Sequence, residues 1–394
     1  MTLTATGVAD AKPQPWPLTT LPADKLLTLV SSMRDQDMAL IEVDARGGLK
    51  QITTMTLVAA PPATVRDVVG HPERYGQFIH NMSRSDIVRE PGGTIFHDYK
   101  LDYSVASVDG RHRYVFLPAV EGQAAAPIDV YDPDDNGTRH YRWEFYAAGA
   151  GTLLVEYGYS QIPQDGLYGK LIKRAQTLEY GLALIPQITL MLAVKQRAEQ
   201  LAPGQPRPGQ AGASPSLTFL LDRGALALFR RAGNRVSEVN LVDRTRARAD
   251  VLVRVASTTA LWSKFVPTIS RSTPLGPRQG LPATEIEQSL PLMSWTTTWG
   301  VFANATSVDM FGLDGDLYRA RMRWDMRPLT NAGTMQTEIV LRSVVDYDHG
   351  SLVVRELYKT EPLFQYGIDV GMQLVILRGV RQQAEQLTPS QATR

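Results

Sequence analysis

The stretch Ala193-Val-Lys-Gln-Arg-Ala-Glu-Gln-Leu201 decides the fold, because it returns near the C-terminus as Gly379-Val-Arg-Gln-Gln-Ala-Glu-Gln-Leu387. Tyr180-Gly181 returns in the same way as Tyr366-Gly367, and both pairs are 186 residues apart (387 minus 201, 366 minus 180). This distance is far longer than the roughly 20–50 residues of a solenoid repeat, and it is the size of a whole domain. The sequence therefore predicts a tandem of two related domains.

A linker is predicted between the two domains. Residues 202–215 read Ala-Pro-Gly-Gln-Pro-Arg-Pro-Gly-Gln-Ala-Gly-Ala-Ser-Pro, a composition that does not form a packed element. The predicted domains are therefore residues 20–201 and residues 216–388.

Both domains are predicted to follow one order of elements. An opening helix, a strand and a short helix precede several strands and a long closing helix. Residues alternate along Ile95–Val105 and Tyr318–Met326, as in antiparallel strands with one covered face. The period becomes helical at the end of each domain, where Pro186 and Pro362 are expected to kink or split the helices. The predicted fold class is α+β.

Composition excludes several classes of function. A net charge of +1 gives no global attraction to nucleic acid or to an anionic membrane. The chain has no cysteine, which excludes disulfides, thiolate metal sites and cysteine nucleophiles. The sequence contains no run of about 18 apolar residues, so no stable membrane insertion is predicted. A polar start without a signal-peptide pattern favours a cytoplasmic protein, or a periplasmic or secreted one if a leader has been removed.

Motifs that carry catalytic chemistry are missing from the sequence. It contains no His-Glu-x-x-His, no Walker loop, no strand–GxGxxG–helix unit and no Gly-x-Ser-x-Gly elbow. No two of the six histidines have the i, i+4 spacing of a helical metal site. The sequence therefore predicts no metal and no cofactor, and nothing in it requires catalysis.

An aromatic and methionine-rich face on both predicted sheets is the candidate binding surface. Ligand pockets are mostly apolar with a few convergent polar groups, and buried hydroxyls need partners that a ligand can supply. The alternative, a solid core in which the rings only fill space, remains open. The candidate ligand-binding residues are His97, Tyr99, Tyr103, Trp143, Tyr157, Tyr180, Leu184 and Ile188 in the first domain and Trp295, Trp299, Met322 and Trp324 in the second.

The segment Thr56–Met82 resembles the opening of the START / Bet v 1-like (SRPBCC) superfamily. It combines a strand, Ala60-Pro61, a helix with spaced valines and the turn His71-Pro-Glu-Arg-Tyr-Gly-Gln-Phe78. The resemblance implies two helix-grip domains, each a curved antiparallel sheet wrapped around its long C-terminal helix above an apolar cavity. The second domain departs from the pattern, because Ser257–Phe265 replaces the Pro-x-x-Tyr turn.

The resemblance implies two functions from different classes. The first is binding or carriage of a hydrophobic small molecule, such as a lipid, sterol, isoprenoid or polyketide. The second is a polyketide-type cyclase or aromatase without metal or nucleotide cofactor, acting in the first-domain cavity. There His97, Tyr99 or Tyr103 would serve as acid or base. A third arrangement, in which one cavity has collapsed and supports the other, also remains open.

Overall fold

The computed structural model describes most of the chain between residues 15 and 388. The described ranges are 15–33, 35–91, 94–102, 107–133, 138–161, 178–208, 217–233, 235–290, 293–331, 334–345, 347–349, 352–360 and 364–388. Tyr103, one of the candidate site residues, lies outside these ranges.

The N-terminal half contains three α-helices and eight strands among the described residues. The helices are α1 (Ala23–Thr28), α2 (Pro62–Gly70) and α3 (Leu178–Leu201). The strands are β1 (Gln36–Val43), β2 (Leu49–Val58), β3 (Met82–Arg89), β4 (Ile95–Asp102), β5 (Ser107–Phe116), β6 (Ala125–Tyr131), β7 (Arg139–Ala148) and β8 (Gly151–Ser160). Short 3-10 helices span Leu29–Ser31 and Pro72–Gln77.

The C-terminal half repeats this order. Its helices are α4 (Thr218–Leu221), α5 (Ala249–Ser257), α6 (Leu352–Thr360) and α7 (Phe364–Leu387). Its strands are β9 (Gly224–Ala232), β10 (Arg235–Thr245), β11 (Ile269–Arg278), β12 (Leu281–Leu290), β13 (Met293–Ala303), β14 (Ser307–Gly315), β15 (Arg321–Asn331) and β16 (Thr334–Val344). Its 3-10 helices span Thr259–Lys264 and Tyr347–His349.

All of these strands form one antiparallel sheet, so the expectation of two separate sheets is wrong. The strand order is β11-β12-β13-β14-β15-β16-β10-β9-β1-β2-β8-β7-β6-β5-β4-β3. The halves join where β1 pairs with β9, and Ala39 lies opposite Ala227. An unpaired first strand in each half would expose its backbone N–H and C=O groups, and the pairing satisfies both edges at once.

A second junction lies between the two long helices. Gly181 of α3 meets Gly367 and Gly371 of α7 so closely that a Cβ atom at Gly181 or Gly367 would clash with backbone. Glycine permits such close approach of two backbones. Gly181 and Gly367 also occupy matching places in the sequence repeat, as β1 and β9 do. The two halves therefore associate around an approximate twofold axis within one chain.

The main core lies between the long helices and one face of the sheet, called here the inner face. Helix α3 contacts β2 and β8, and α7 contacts β10. Helix α3 is long and apolar enough to cross a membrane by length and composition alone. However, 67% of its most apolar 18-residue stretch is buried inside the protein. It runs through Pro186 without a break, flanked by buried Ile185 and Gln187. Of the two effects expected of Pro186, a kink or a split, the split is therefore wrong. Pro362 lies outside the described residues.

Candidate functional site

A cavity of about 90 Å³ lies in the C-terminal half, between the inner face of the sheet and α7. Its wall is mainly aromatic and aliphatic, as in ligand pockets, but its volume is smaller than the roughly 300–1,000 Å³ of pockets that enclose drug-sized molecules. The lining residues are Trp262, Ile269, Ile286, Gln288, Trp295, Trp299, Met310, Leu317, Ala320, Arg321, Met322, Ser343, Val345, Tyr358, Ile368, Asp369, Met372, Gln373 and Ile376.

Two glutamines supply polar groups to this wall. Gln288 Oε1 accepts a hydrogen bond from Trp295 Nε1 at 2.6 Å, which fixes the indole against the cavity. On α7, Gln373 donates from Nε2 to the Ser343 hydroxyl. Its Oε1 atom is buried and has no hydrogen-bond partner among the described residues. A buried polar atom without a partner is costly, and a bound hydroxyl group would satisfy it.

Three of the four candidates in this half line the cavity. Trp295, Trp299 and Met322 face it from β13 and β15. Trp324, two residues further along β15, is fully buried in the core instead. Its ring packs against Trp262 at a centroid distance of 6.3 Å, so neighbouring side chains cover it.

His97, on the inner face of the N-terminal half, has one ring nitrogen free. Its Nε2 atom lies 2.8 Å from Ser85 Oγ, whose hydroxyl donates to the Pro72 carbonyl at 2.5 Å. Because the hydroxyl proton is used there, Nε2 carries the imidazole proton and Nδ1 is the acceptor. Nδ1 is buried without a partner among the described residues, and burial lowers the pKa of His97 to about 4. His97 is thus a neutral acceptor at pH 7.

Glu156 and Gln187 share this inner face and were not predicted from the sequence. Glu156 is buried on β8, accepts a hydrogen bond from Thr54 Oγ1 at 3.2 Å, and has its pKa raised well above the usual value by burial. Gln187 of α3 packs against Gly158, and neither of its amide atoms has a partner among the described residues. The repeat could have identified Gln187, because Gln373 follows it by the same 186 residues (373 minus 187) in an equally apolar helix.

Tyr99 lies beside His97 on β4. Its hydroxyl accepts a hydrogen bond from Arg139 Nη1 at 3.0 Å, and its ring lies 4.6 Å from that of His112, centroid to centroid. Burial lowers the pKa of His112 to about 3, and His112 Nε2 also lacks a partner among the described residues. The structure therefore gathers several under-satisfied polar groups on one buried surface.

The remaining first-domain candidates are divided between two faces of the sheet. Trp143, Leu184 and Ile188 are buried in the inner core. Tyr157 belongs to the cluster on the outer face, where its hydroxyl accepts a hydrogen bond from the Leu21 amide at 2.9 Å. Its assignment to the same wall as Trp143 is wrong, because Tyr157 and Trp143 point to opposite sides of the paired strands β7 and β8.

Tyr180 belongs to the junction between the halves. Its hydroxyl donates to the Gly47 carbonyl and accepts from Arg378 Nη1 of α7 at 2.7 Å. The Arg378 guanidinium also lies 4.6 Å from the centre of the tyrosine ring. These contacts place Tyr180, a candidate ligand-binding residue, at the junction between the two halves.

The structure predicts that His97 makes the fold sensitive to acid. Its pKa of about 4 in the folded chain lies below the ordinary 6.5, so the unfolded chain binds more protons between these pH values. Stability should fall as pH drops through this window, by about 3 kcal/mol in total from this residue.

Replacing His97 with Gln keeps an amide donor for Ser85 and removes the titration. We expect His97→Gln to lose less free energy of unfolding between pH 7 and pH 4 than the wild type, measured by urea denaturation. His80→Gln, at an exposed histidine, is the control and should follow the wild type. Identical pH profiles for His97→Gln and the wild type would contradict the assignment.

Comparisons with known proteins identify similar solved structures. No protein-family model matches the chain, and no curated protein sequence matches it. The di-domain ARO/CYC StfQ from the steffimycin biosynthetic pathway is 13% identical, with 85% of this chain and 98% of that chain covered and a TM-score of 0.29. The di-domain ARO/CYC BexL from the BE-7585A biosynthetic pathway is 14% identical, with the same coverage and a TM-score of 0.28.

A START superfamily protein from Mycobacterium smegmatis is 16% identical, with 39% of this chain and 99% of that chain covered and a TM-score of 0.29. The two halves of this chain share one order of elements, because each half places a short helix after its second strand, six further strands, and then a long closing helix.

Among the described residues, no group of three or more His, Asp or Glu side chains is placed to hold a metal ion.

Proposed function

We propose that the protein binds a mostly apolar small molecule in the cavity of its C-terminal half, under α7. The observation that carries this proposal is the wall formed by Trp295, Trp299 and Met322, together with the unpartnered Gln373 Oε1. Apolar walls supply the affinity, and one buried acceptor selects a molecule that carries a hydroxyl group. Lipids, sterols, isoprenoids and polyketides all contain members of this kind. Because the cavity of about 90 Å³ is smaller than such molecules, α7 must move away from the sheet to admit them.

The repeat supports a related arrangement in the N-terminal half. Gln187 occupies the place of Gln373, and the sheet of each half is inferred to wrap around its own closing helix. Each helix then presents one buried amide to the inner face. The predicted domain limits, 20–201 and 216–388, agree with this division and remain a proposal.

The test uses N-phenyl-1-naphthylamine, a neutral apolar probe whose fluorescence rises when it leaves water. Titration of the full chain should give saturable binding, with quenching of tryptophan fluorescence by energy transfer from Trp295 and Trp299. A linear rise without saturation, as for non-specific surface binding, would contradict the proposal.

An enzymatic alternative is favoured by the buried groups of the N-terminal half. In a polyketide-type cyclisation, His97 Nδ1 would take a proton from a methylene carbon, which then bonds to a ketone carbon of the same chain. The ketone oxygen would take a proton from a neutral acid, and Glu156 is held in that form by burial. The resulting alcohol then loses one water molecule, which gives the dehydrated cyclic product. A poly-β-ketone thioester incubated with the protein would then lose the mass of one water molecule, and His97→Gln would abolish this loss.

A further inference from the structure

A groove of about 630 Å³ lies on the outer face of the sheet in the C-terminal half, on the side opposite the cavity. Successive residues on one strand alternate between the faces, so Val340 and Arg342 face the groove while Ser343 faces the cavity. The groove-lining residues are Gln36, Leu217, Thr218, Leu221, Leu228, Arg230, Glu238, Asn240, Val242, Arg244, Arg327, Leu329, Glu338, Val340 and Arg342.

The groove has an apolar floor between two rows that contain arginines. Val242 and Val340 are opposite each other on β10 and β16 and form the floor. Along β16, Arg342 lies two residues after Val340, and Glu338 lies two residues before it. Arg327 of β15 is opposite Glu338. At about 3.3 Å per residue the two rows are about 13 Å apart, which matches the 10–12 Å diameter of an α-helix with its side chains.

Three of the four arginines in this groove are only partly neutralised by their neighbours, whereas Arg244 is paired with Asp222 at 2.8 Å. Arg342 lies 3.9 Å from Glu238, and its side chain is 45% exposed. Arg327 lies 3.9 Å from Glu338, and Arg230 lies 3.7 Å from Glu238, distances longer than hydrogen bonds. The side chains of both arginines are more than half exposed. Such guanidinium groups can form paired hydrogen bonds with incoming carboxylates.

The N-terminal half shows what covers the same face of the fold. There Leu26, Leu29 and Met33 pack on the outer face beside Tyr146 and Tyr157, and α1 reaches as far as β7. In the C-terminal half, α4 contacts β9 and β10. Helix α4 has 4 residues, whereas α1 has 6 and continues into the 3-10 helix Leu29–Ser31, so α4 covers less of the outer face among the described residues.

We propose that this groove binds an amphipathic helix from a partner protein, with leucine-type side chains on the valine floor and Asp or Glu on both flanks. The helix would extend the cover that α4 begins, in the manner of α1, and its carboxylates would meet Arg342 on one side and Arg327 on the other. Helices that lie in grooves are commonly held by apolar anchors at i, i+3, i+4 and i+7. The flanking charges select an acidic partner and speed its association.

The test measures fluorescence anisotropy of a fluorescein-labelled helical peptide with Leu at i, i+3, i+4 and i+7 and Glu on both flanks. The full chain should bind it, and a counterpart with Lys in place of Glu should not bind. The double variant Arg327→Glu/Arg342→Glu should weaken binding about tenfold or more. The control is Arg46→Glu/Arg278→Glu, which changes the net charge equally at two exposed arginines outside the groove.

Equal binding of the acidic and basic peptides, or equal losses in the two double variants, would overturn the proposal. Displacement of the peptide by an equal concentration of inorganic phosphate would assign the groove to a small anion and overturn it as well. Titration with N-phenyl-1-naphthylamine should be the same in both double variants, because the cavity lies on the other face. The proposal for the groove and the proposal for the cavity can therefore be contradicted independently.

Discussion

Substitution of Met322 by Trp is expected to abolish binding of N-phenyl-1-naphthylamine, with a loss of affinity of at least about tenfold. Met322 lines the cavity from β15, and the added indole would fill much of its roughly 90 Å³. Filling a cavity removes the space in which an apolar molecule is buried, and each tenfold loss of affinity corresponds to about 1.4 kcal/mol. Tryptophan is well accommodated in strands, so the sheet should keep its register.

The matched control is Met335→Trp, the same change on the neighbouring strand β16. Met335 is 63% exposed and does not line the cavity. The affinity of the Met335→Trp variant for N-phenyl-1-naphthylamine should equal that of the wild type. Circular dichroism and thermal unfolding of both variants distinguish a filled cavity from a damaged fold. Undiminished binding to a folded Met322→Trp variant would place the ligand elsewhere.

Substitution of Gly367 by Ala is expected to destabilise the whole chain by about 1–3 kcal/mol, the usual effect of overpacking. The new methyl group would meet the backbone of Gly181 and the side chain of Ile185. Because α3 and α7 approach each other through their backbones here, neither side chain rotation nor solvent can relieve the clash. The helices must move apart, and the junction between the halves loosens.

Gly371→Ala, one turn further along α7, is the control for this change. A Cβ atom there would lie 3.4 Å from the nearest atom, Gly181 Cα, which is ordinary van der Waals contact. Replacing a helical glycine with alanine stabilises a helix by about 1 kcal/mol, so this variant should be as stable as the wild type or more stable. Denaturant unfolding measures both variants. Equal stability of the two would show that the helices do not cross at Gly367.

The repeat in the sequence predicted the doubled order of elements, but it did not predict how the halves join. Strands β1 and β9 were missed because runs such as Met38-Ala-Leu-Ile41 are apolar throughout and have no period of two. Such strands are covered on both faces, and here Met38 and Leu40 face the outer cluster while Ala39 and Ile41 face the inner one. Their pairing across the junction depends on tertiary contacts that local periodicity does not encode.

The candidate site shows a similar limit. Alternation along β8 correctly grouped Leu153, Val155 and Tyr157 on one face, yet it could not indicate that α1 covers this face and that α3 covers the other. On β13 and β15 the inner face was assigned correctly for Trp295, Trp299 and Met322. The buried amides of Gln187 and Gln373 were overlooked because each stands alone in an apolar helix.

The most direct test of the proposed function is native mass spectrometry of the purified full chain, followed by extraction of the bound molecule. A single apolar molecule bound one to one to the wild type and to Met335→Trp, and missing from Met322→Trp, is the result that the C-terminal cavity predicts. A bound molecule that persists in Met322→Trp and disappears in Leu184→Trp would contradict it, because Leu184 lies in the core of the N-terminal half.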